Sequence, residues 1–304
     1  MNENLDTNTI IKNAKKTGIA VPAFNIPYLP MMEPVIRAVM DQDCFALIEV
    51  ARIEWEKLES KSLVAVYEEF IKWNNPKFVH LHLDHVPVID EDNQVVDYLS
   101  IIKEAIDLGY QSVMVDGSRL NLEENIEATS KAVVLAHEAG IACEAELGAV
   151  LGHEEGPLPP YEELFSSGKG FTKVDEAKKF VDETNCDWLS VAIGNIHGRV
   201  SVAERDKKKV QARLNLDHLQ KLNNELNIPL VLHGGSGIQQ DFILEAVKIG
   251  ISKINIATEI RQPYEAVIKD SGNVMDAQTA VYLRTCSILK EFLRLSGTRY
   301  LLTG

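Results

Sequence analysis

The sequence of 304 residues has few cysteines and no long apolar run. Its four cysteines, Cys44, Cys143, Cys186 and Cys286, are scattered and never spaced as CxxC, which is typical of reduced packing residues. No apolar run approaches the roughly 20 residues of a membrane span. Residues 1–6 lack the basic start and apolar core of a signal peptide. These absences predict a cytoplasmic protein without a membrane segment.

Basic charge is also scarce. The chain has 31 Lys and Arg against 45 Asp and Glu, which gives a net charge of -14. A nucleic-acid binder needs a basic stripe, and the run Lys207-Lys208-Lys209 is too short and follows acidic residues. We therefore expect no nucleic-acid partner. An anionic substrate is still compatible with this charge, because backbone amides at helix N-termini can bind it.

The sequence is rich in alternating strand and helix patterns. Predicted strands cover Gly18–Asn25, Phe45–Val50, Val79–His85, Ser112–Asp116 and Ala142–Leu147, followed by strands from Leu189 and Leu230 and a last one over Ser252–Ala257. Predicted helices cover Ile10–Lys16, Met32–Met40, Ser60–Trp73, Tyr98–Leu108, Leu122–Ala139, Val174–Asp182, Asp217–Leu226, Phe242–Lys248 and most of Tyr264–Leu295.

Eight strand–helix units without a break predict the α/β class and a single domain over residues 1–304. The expected architecture is a (β/α)8 TIM barrel with additional C-terminal helices. A doubly wound open sheet is the alternative, although it normally offers fewer strands in one run. The longer stretches Gly152–Thr172 and Arg199–Arg213 are expected to be irregular loops on the catalytic face.

Three predicted strands end in a histidine: His85, His197 and His233. Burying Asp84 and His85 together at a strand end is costly unless both are paired or bind a metal. Any one such histidine alone is more often a core residue. Because parallel strands of a barrel end at one mouth, three in register instead favour a catalytic zinc site with an open fourth position. For His82, packing or a supporting role beside the site is favoured.

A possible phosphate site follows His233. The turn Gly234-Gly235-Ser236-Gly237 leads directly into a helix, where backbone amides and the helix N-terminus favour an anion. The eighth strand ends in Asn255-Ile256-Ala257-Thr258, which adds an amide and a hydroxyl. A glycine-rich turn alone is weak evidence, but barrels usually bind phosphate in the loops after strands seven and eight.

Carboxylates complete the candidate site. Glu144 and Glu146 alternate on the fifth strand and therefore share a face, and Glu154-Glu155 follow in the next loop. A mobile carboxylate near a metal-bound carbonyl could move protons. A solvated acidic loop is the simpler interpretation for Glu155. Asp116 is either a helix cap or a site residue.

These residues resemble the class II, zinc-dependent fructose-bisphosphate/tagatose-bisphosphate aldolases. The resemblance extends from Ala20 to Glu259. Five motifs occur in the order of the family: His82-Leu83-Asp84-His85, Ser112-Val113-Met114-Val115-Asp116-Gly117-Ser118, Glu144-Ala145-Glu146-Leu147-Gly148, Gly194-Asn195-Ile196-His197-Gly198 and Leu232-His233-Gly234-Gly235-Ser236-Gly237.

The resemblance implies a metal-dependent aldolase that reversibly cleaves a phosphorylated ketose to dihydroxyacetone phosphate and an aldehyde, through a zinc-stabilised enediolate. It implies that Asp84 handles the proton of the C4 hydroxyl and that Glu154 exchanges the C3 proton of dihydroxyacetone phosphate. The implied metal residues are His85, His197, His233 and, beside the metal, Glu146. The implied substrate-binding residues are Asn25, Gly198, Gly234, Ser236, Asn255, Thr258 and Arg284.

The resemblance also implies a homodimer or homotetramer, in which Arg284 binds a distal phosphate of a neighbouring subunit's substrate. A monovalent cation, Na⁺ or K⁺, is implied beneath the ketose phosphate.

Some residues depart from the family pattern. The second strand continues as Glu49-Val50-Ala51, where the family usually has a glutamine and a serine. Ala257 stands where fructose-bisphosphate enzymes tend to have aspartate and tagatose-type members have alanine. Leu151-Gly152-His153 replaces a Gly-Gly pair in the mobile loop. The identity of the aldehyde is therefore open.

Two other functions stay open. The altered loop around Leu151–Glu155 suggests a non-catalytic sugar-phosphate-binding homologue. The pair His80-Leu81-His82 suggests a barrel metallohydrolase, although this pair precedes the strand end and the eighth strand ends without an aspartate.

Overall fold

The structure is a computed structural model that describes residues 5–148, 161–195, 213–235 and 237–304. Its eight strands are parallel and pair in chain order, and β1 pairs with β8 to close the barrel. The strands are β1 (Val21–Asn25), β2 (Ala46–Ala51), β3 (Val79–Pro87), β4 (Ser112–Asp116), β5 (Ala142–Leu147), β6 (Trp188–Val191), β7 (Leu230–Leu232) and β8 (Ile251–Ile256). The predicted (β/α)8 barrel is confirmed, and the open sheet was the wrong alternative.

Helices surround the barrel and continue after β8. They are α1 (Thr7–Thr17), α2 (Met32–Asp41), α3 (Arg52–Lys57), α4 (Leu63–Trp73), α5 (Tyr98–Leu108), α6 (Leu122–Glu138), α7 (Tyr161–Ser167), α8 (Val174–Thr184), α9 (Leu216–Glu225), α10 (Gln240–Ile249), α11 (Thr258–Ser271), α12 (Val274–Ser287) and α13 (Arg299–Thr303). Short 3-10 and π-helical turns cover Leu29–Met31 and Ile288–Phe292.

Four helices differ from the expectation. The short helices α3, directly after β2, and α13, after Leu295, were not predicted, and α7 lies within the stretch Gly152–Thr172 that was expected to be irregular. The helix α11 begins at Thr258 rather than Tyr264 and includes Pro263 as its sixth residue. A proline inside a helix removes one backbone hydrogen bond, and here the helix continues through it to Ser271.

The strand side chains divide into two packing layers. Inside the barrel, near the N-terminal ends of the strands, apolar residues such as Val21, Leu47 and Trp188 pack against Ile10 and Ile11 of α1. The alternate strand residues face outward and pack against the surrounding helices in a separate, larger cluster. The helix α1 thus closes one end of the barrel, and the chemistry is left to the other end.

Towards the C-terminal ends of the strands, the same inward positions become polar. Leu47 of β2 is followed two residues later by Glu49, and Val21 of β1 is followed by Ala23 and then Asn25. Ionisable side chains of this inner layer, each at most 2% exposed, are Glu49, His82, Asp84, Glu144, Glu146, His233 and Lys253. So many buried charges in one layer must pair with one another or with a ligand.

The four cysteines are free, as expected. Among the helices of the described residues, none has both the length and the apolar character that crossing a membrane requires.

His80 lies on β3 near the closed end, and its Nδ1 is 2.8 Å from Thr7 Oγ1. Burial lowers the pKa of His80 to about 4, from an ordinary value of 6.5. Because the unfolded chain takes up this proton at higher pH than the folded chain, stability is lost as the pH falls from about 6.5 towards 4.

We therefore expect His80→Gln to lessen the acid sensitivity of the metal-free protein. Between pH 7 and about pH 5, the wild type should lose about 2 kcal/mol more unfolding free energy than the variant. Urea unfolding of both chelated proteins measures this difference. Parallel losses in the two proteins would contradict the assignment.

Candidate active site

The end of β3 is bulged, and this aims two consecutive side chains at the mouth of the barrel. Pairing of β3 with β4 shifts register between Leu83 and Val86, and His85 within the shift has a positive φ of 20°. Asp84 keeps the inward position opposite Ala51 of β2. Because a bulge re-aims the side chain of its extra residue, His85 also turns inward, and its ring centroid lies 4.5 Å from that of His233.

Asp84 is held by two side-chain amides. Asn25 Nδ2 donates to Asp84 Oδ2 at 2.9 Å, and Asn255 Nδ2 donates to Asp84 Oδ1 at 2.9 Å. Burial alone would raise the pKa of Asp84, but the positive charges of His85 and Lys253 outweigh it and hold this pKa well below its usual range. The carboxylate is therefore charged and fixed in orientation.

His233 is enclosed by two carboxylates of β5. Its Nε2 is 2.8 Å from Glu144 Oε1, and its Nδ1 is 3.2 Å from Glu146 Oε2. Burial alone would lower the pKa of His233, but the bonds to Glu144 and Glu146 raise it to about 10. These surroundings favour a positive charge at the ring, whether from a proton or from a metal ion.

His85 has similar surroundings. Its Nδ1 lies 3.1 Å from Asp116 Oδ2 and 3.7 Å from Glu146 Oε2. Burial opposes protonation of His85, but Asp84, Asp116 and Glu146 raise its pKa to about 9. Asp116 also accepts a hydrogen bond from the backbone N–H of Ser118 at 2.9 Å. Of the two interpretations of Asp116, the structure therefore supports a place in the site.

Around His85 the donors form two overlapping groups that could hold a metal. One contains Asp84, His85 and His233, and the other contains His85, Asp116 and Glu146; within each group the ligand atoms lie within 4.8 Å of one another. Imidazole and carboxylate groups are ligands of zinc. The site thus brings together two of the three predicted histidines and Glu146, and its donor set fits a divalent metal.

A buried lysine, which the sequence analysis missed, lies beneath these groups. Lys253 Nζ is 2.9 Å from Glu144 Oε2 and 3.2 Å from Glu49 Oε2, and it donates to Asn255 Oδ1 at 2.8 Å. Burial alone would lower the pKa of Lys253, but these carboxylates raise it above its usual range. A sequence signal was present, because Lys253 stands two residues before the predicted Asn255 and so shares its face.

Two further polar residues support the site. His82 Nδ1 is 2.8 Å from Ser112 Oγ, and burial together with the charge of Lys253 lowers its pKa to about 3, so His82 is neutral. This agrees with the packing role expected for it. Asn195, which was not singled out, donates from Nδ2 to the backbone oxygen of His233 at 2.9 Å and ties the end of β6 to that of β7.

The structure describes some of the residues that are expected to bind the phosphate. Gly234 has a φ of 65°, a backbone conformation that favours glycine, directly after His233. Thr258 is 8% exposed and begins α11 after β8. Arg284 lies on α12 and forms an ion pair with Glu259, the neighbour of Thr258. Glu154, His197, Gly198 and Ser236 lie outside the described residues.

Known proteins resemble this chain in sequence and in structure. Residues 5–293 match the family described as fructose-bisphosphate aldolase class-II. A fructose-bisphosphate aldolase of Streptococcus pyogenes is 34% identical over 278 residues, which cover 90% of this chain and 85% of that protein. A fructose-bisphosphate aldolase of Streptococcus pneumoniae has the same identity, 34%, and the same coverage. The YdjI aldolase of Escherichia coli K12 has a similar structure, with a TM-score of 0.74 and 27% identity over 97% of this chain and 99% of that chain.

The chain is a closed barrel with histidines and carboxylates at one mouth, and the proteins that it matches are aldolases. Together these findings define a metal-dependent lyase. The chain belongs to the class II fructose-bisphosphate aldolase family. It is accordingly a metal-dependent aldolase, and neither the non-catalytic homologue nor the metallohydrolase is favoured.

Glu144 supplies a test of the metal site. Because its carboxylate orients His233 through the Nε2 hydrogen bond, we expect Glu144→Gln to weaken zinc affinity roughly 10–100-fold. Competition with a chromophoric chelator measures the dissociation constant. The matched control is Glu127→Gln on the exposed face of α6, which should bind zinc like the wild type. Unchanged affinity in Glu144→Gln would show that His233 does not depend on this carboxylate.

Proposed function

We propose that this aldolase reversibly cleaves a phosphorylated ketose to dihydroxyacetone phosphate and an aldehyde, with zinc bound by His85, His197 and His233. The observation that carries the proposal is a fixed carboxylate, Asp84, in the same 4.8 Å donor cluster as two of these histidines. The names of the relatives, fructose-bisphosphate aldolases, support a phosphorylated sugar as substrate.

The zinc, when bound, would supply a Lewis acid that stabilises negative charge on the ketose oxygen. Asp84 would move the proton of the C4 hydroxyl, which it accepts in cleavage and returns in synthesis. The side chain is 1% exposed, so water competes little for this proton. Its two amide partners hold it in a single orientation, which is the property that a general base needs before the substrate arrives.

The second proton transfer is assigned to Glu154, which would exchange the C3 proton of dihydroxyacetone phosphate. Glu146 would stand beside the metal, where its Oε2 is 3.2 Å from His233 Nδ1. Placing the two proton transfers on different residues separates carbon–carbon cleavage from C3 exchange. The two activities can therefore be measured independently.

The phosphate of the ketose would bind at the glycine-rich turn after β7 and at the start of α11. Its proposed ligands are Gly198, Gly234, Ser236, Asn255 and Thr258, with Asn25 nearby and Na⁺ or K⁺ beneath the phosphate. An amide nitrogen carries two hydrogens, so Asn255 can donate one to Asp84 and the other to the substrate.

Fewer residues can be assigned to the half of the substrate that becomes the aldehyde. Ala51 and Ala257 cannot donate hydrogen bonds from their side chains, so fructose 1,6-bisphosphate and tagatose 1,6-bisphosphate should be compared directly. A homodimer or homotetramer would let Arg284 reach a neighbouring active site. The free cysteines support a cytoplasmic location.

Substitution of Asp84 tests whether cleavage and C3 proton exchange depend on different residues. We expect Asp84→Ala to lower the rate of cleavage about 10²–10⁴-fold, because it removes the general base. It should retain zinc and the zinc-dependent exchange of the C3 proton of dihydroxyacetone phosphate, which needs Glu154 instead.

Cleavage can be followed by release of dihydroxyacetone phosphate, C3 exchange by NMR in deuterated water, and zinc by elemental analysis. If Asp84→Ala loses its zinc, then Asp84 is a metal ligand rather than the general base. If it still cleaves at the wild-type rate, the assigned proton transfer is wrong.

A further inference from the structure

We propose that Glu54, on α3, is a positioning residue that acts on Asp84 through the amide of Asn25. This inference rests on the proposed role of Asp84 in cleavage. Glu54 was not singled out in the sequence, where no helix was predicted over α3. In the structure its side chain is almost fully buried, at 5% exposed.

The contacts of Asn25 carry the argument. Its Nδ2 faces two carboxyl oxygens, Asp84 Oδ2 at 2.9 Å and Glu54 Oε2 at 3.5 Å. An amide can present either its nitrogen or its oxygen to a neighbour. Two acceptors on the same side make the nitrogen the only suitable atom there. Glu54 is therefore a second acceptor that holds the Asn25 amide with its nitrogen towards Asp84.

The other amide partner of Asp84 is held in a similar manner by the ammonium of Lys253. Asn255 donates to Asp84 through Nδ2, and its Oδ1 accepts from Lys253 Nζ at 2.8 Å. The ammonium thus holds the oxygen of one amide, and the Glu54 carboxyl holds the nitrogen of the other. Both amides then present N–H groups to the same carboxylate, which a freely rotating amide would do only part of the time.

Glu54 is itself firmly placed. Its Oε2 accepts a hydrogen bond from the backbone N–H of Ala51 at 2.9 Å, where β2 ends and α3 begins. Ala51 pairs in register with Asp84 on β3. Glu54 is therefore anchored to the backbone position beside the carboxylate that it helps to orient. The competing explanation is that Glu54 only caps α3.

The consequence for the reaction is geometric. Without an acceptor at position 54, only Asp84 restrains the nitrogen of the Asn25 amide, and the two side chains can shift together. Asp84 would then leave the orientation in which it meets the C4 hydroxyl. Misplacement of a reacting group by about 1 Å can lower a rate on the order of 10²-fold.

Two substitutions that keep the length of the Glu54 side chain show whether its hydrogen-bond acceptor is what matters. Glu54→Gln keeps an oxygen that can accept from both Ala51 and Asn25, whereas Glu54→Met keeps the length and removes the acceptor. We expect Glu54→Met to lower kcat for cleavage roughly 10–100-fold, and Glu54→Gln to restore it to within a few-fold of the wild type. Zinc content and C3 exchange of dihydroxyacetone phosphate should be unchanged in both variants.

The matched control is Glu56 on the same helix, whose side chain is 47% exposed. Glu56→Met should cleave like the wild type. If Glu54→Met does not fold, as judged by thermal unfolding, Glu54→Asp replaces it. The aspartate keeps a carboxylate near the start of α3 but draws the oxygen away from Asn25.

A double-mutant cycle with Asn25→Ala distinguishes positioning from capping. If Glu54 acts through Asn25, the loss caused by Glu54→Met should disappear when Asn25 is already alanine. Capping of α3 does not involve Asn25, so it predicts that the two losses multiply. The measurement is kcat for cleavage of fructose 1,6-bisphosphate and tagatose 1,6-bisphosphate by the zinc-loaded proteins.

Multiplied losses, or a Glu54→Met variant as fast as the wild type, would overturn the role of Glu54 and leave the proposed function intact. Failure of the wild type to cleave either bisphosphate and to exchange the C3 proton would instead overturn the proposed function, and this inference with it. A loss of kcat in Glu54→Gln as large as that in Glu54→Met would also overturn this role, because the glutamine keeps the hydrogen-bond acceptor.

Discussion

The rest of the site depends on the contacts of the buried Lys253 ammonium. It donates to the amide oxygen of Asn255, which turns the nitrogen of that amide towards Asp84. It also pairs with Glu144, whose other oxygen binds His233. A single cation thereby orients both Asp84, the proposed general base, and His233, a proposed metal ligand. A buried charge is costly unless it is paired in this way, so these contacts have to form together.

Charge balance gives the same layer its affinity for a metal. Lys253 can neutralise only one of the carboxylates around it, and Asp84, Asp116 and Glu146 lie on the side of His85 and His233. Burial together with the charge of Asp84 raises the pKa of Glu49 well above its usual value. The negative charge that is left would stabilise a divalent cation bound by the proposed ligands His85 and His233.

The fold followed from the sequence because strand and helix periods are local properties, and eight repeats of them have few ways to pack. Asp84, His85 and His233 were predicted because polar residues at the ends of apolar strands are costly without partners. Lys253 was missed because a lysine usually lies at the surface, although its spacing from Asn255 indicates the inner face of the strand. Glu54 was missed because α3 was not predicted, so nothing local marked its side chain as buried. The bulge at His85 was missed as well, since register between strands is a property of two segments and not of one.

The central claim is that these residues support metal-dependent proton abstraction from dihydroxyacetone phosphate. Deuterium exchange into dihydroxyacetone phosphate, compared between chelated and zinc-loaded protein, tests it without knowledge of the aldehyde. The account predicts exchange at C3 that appears only when zinc is restored. Zinc-loaded protein that binds the metal but exchanges no proton would contradict it.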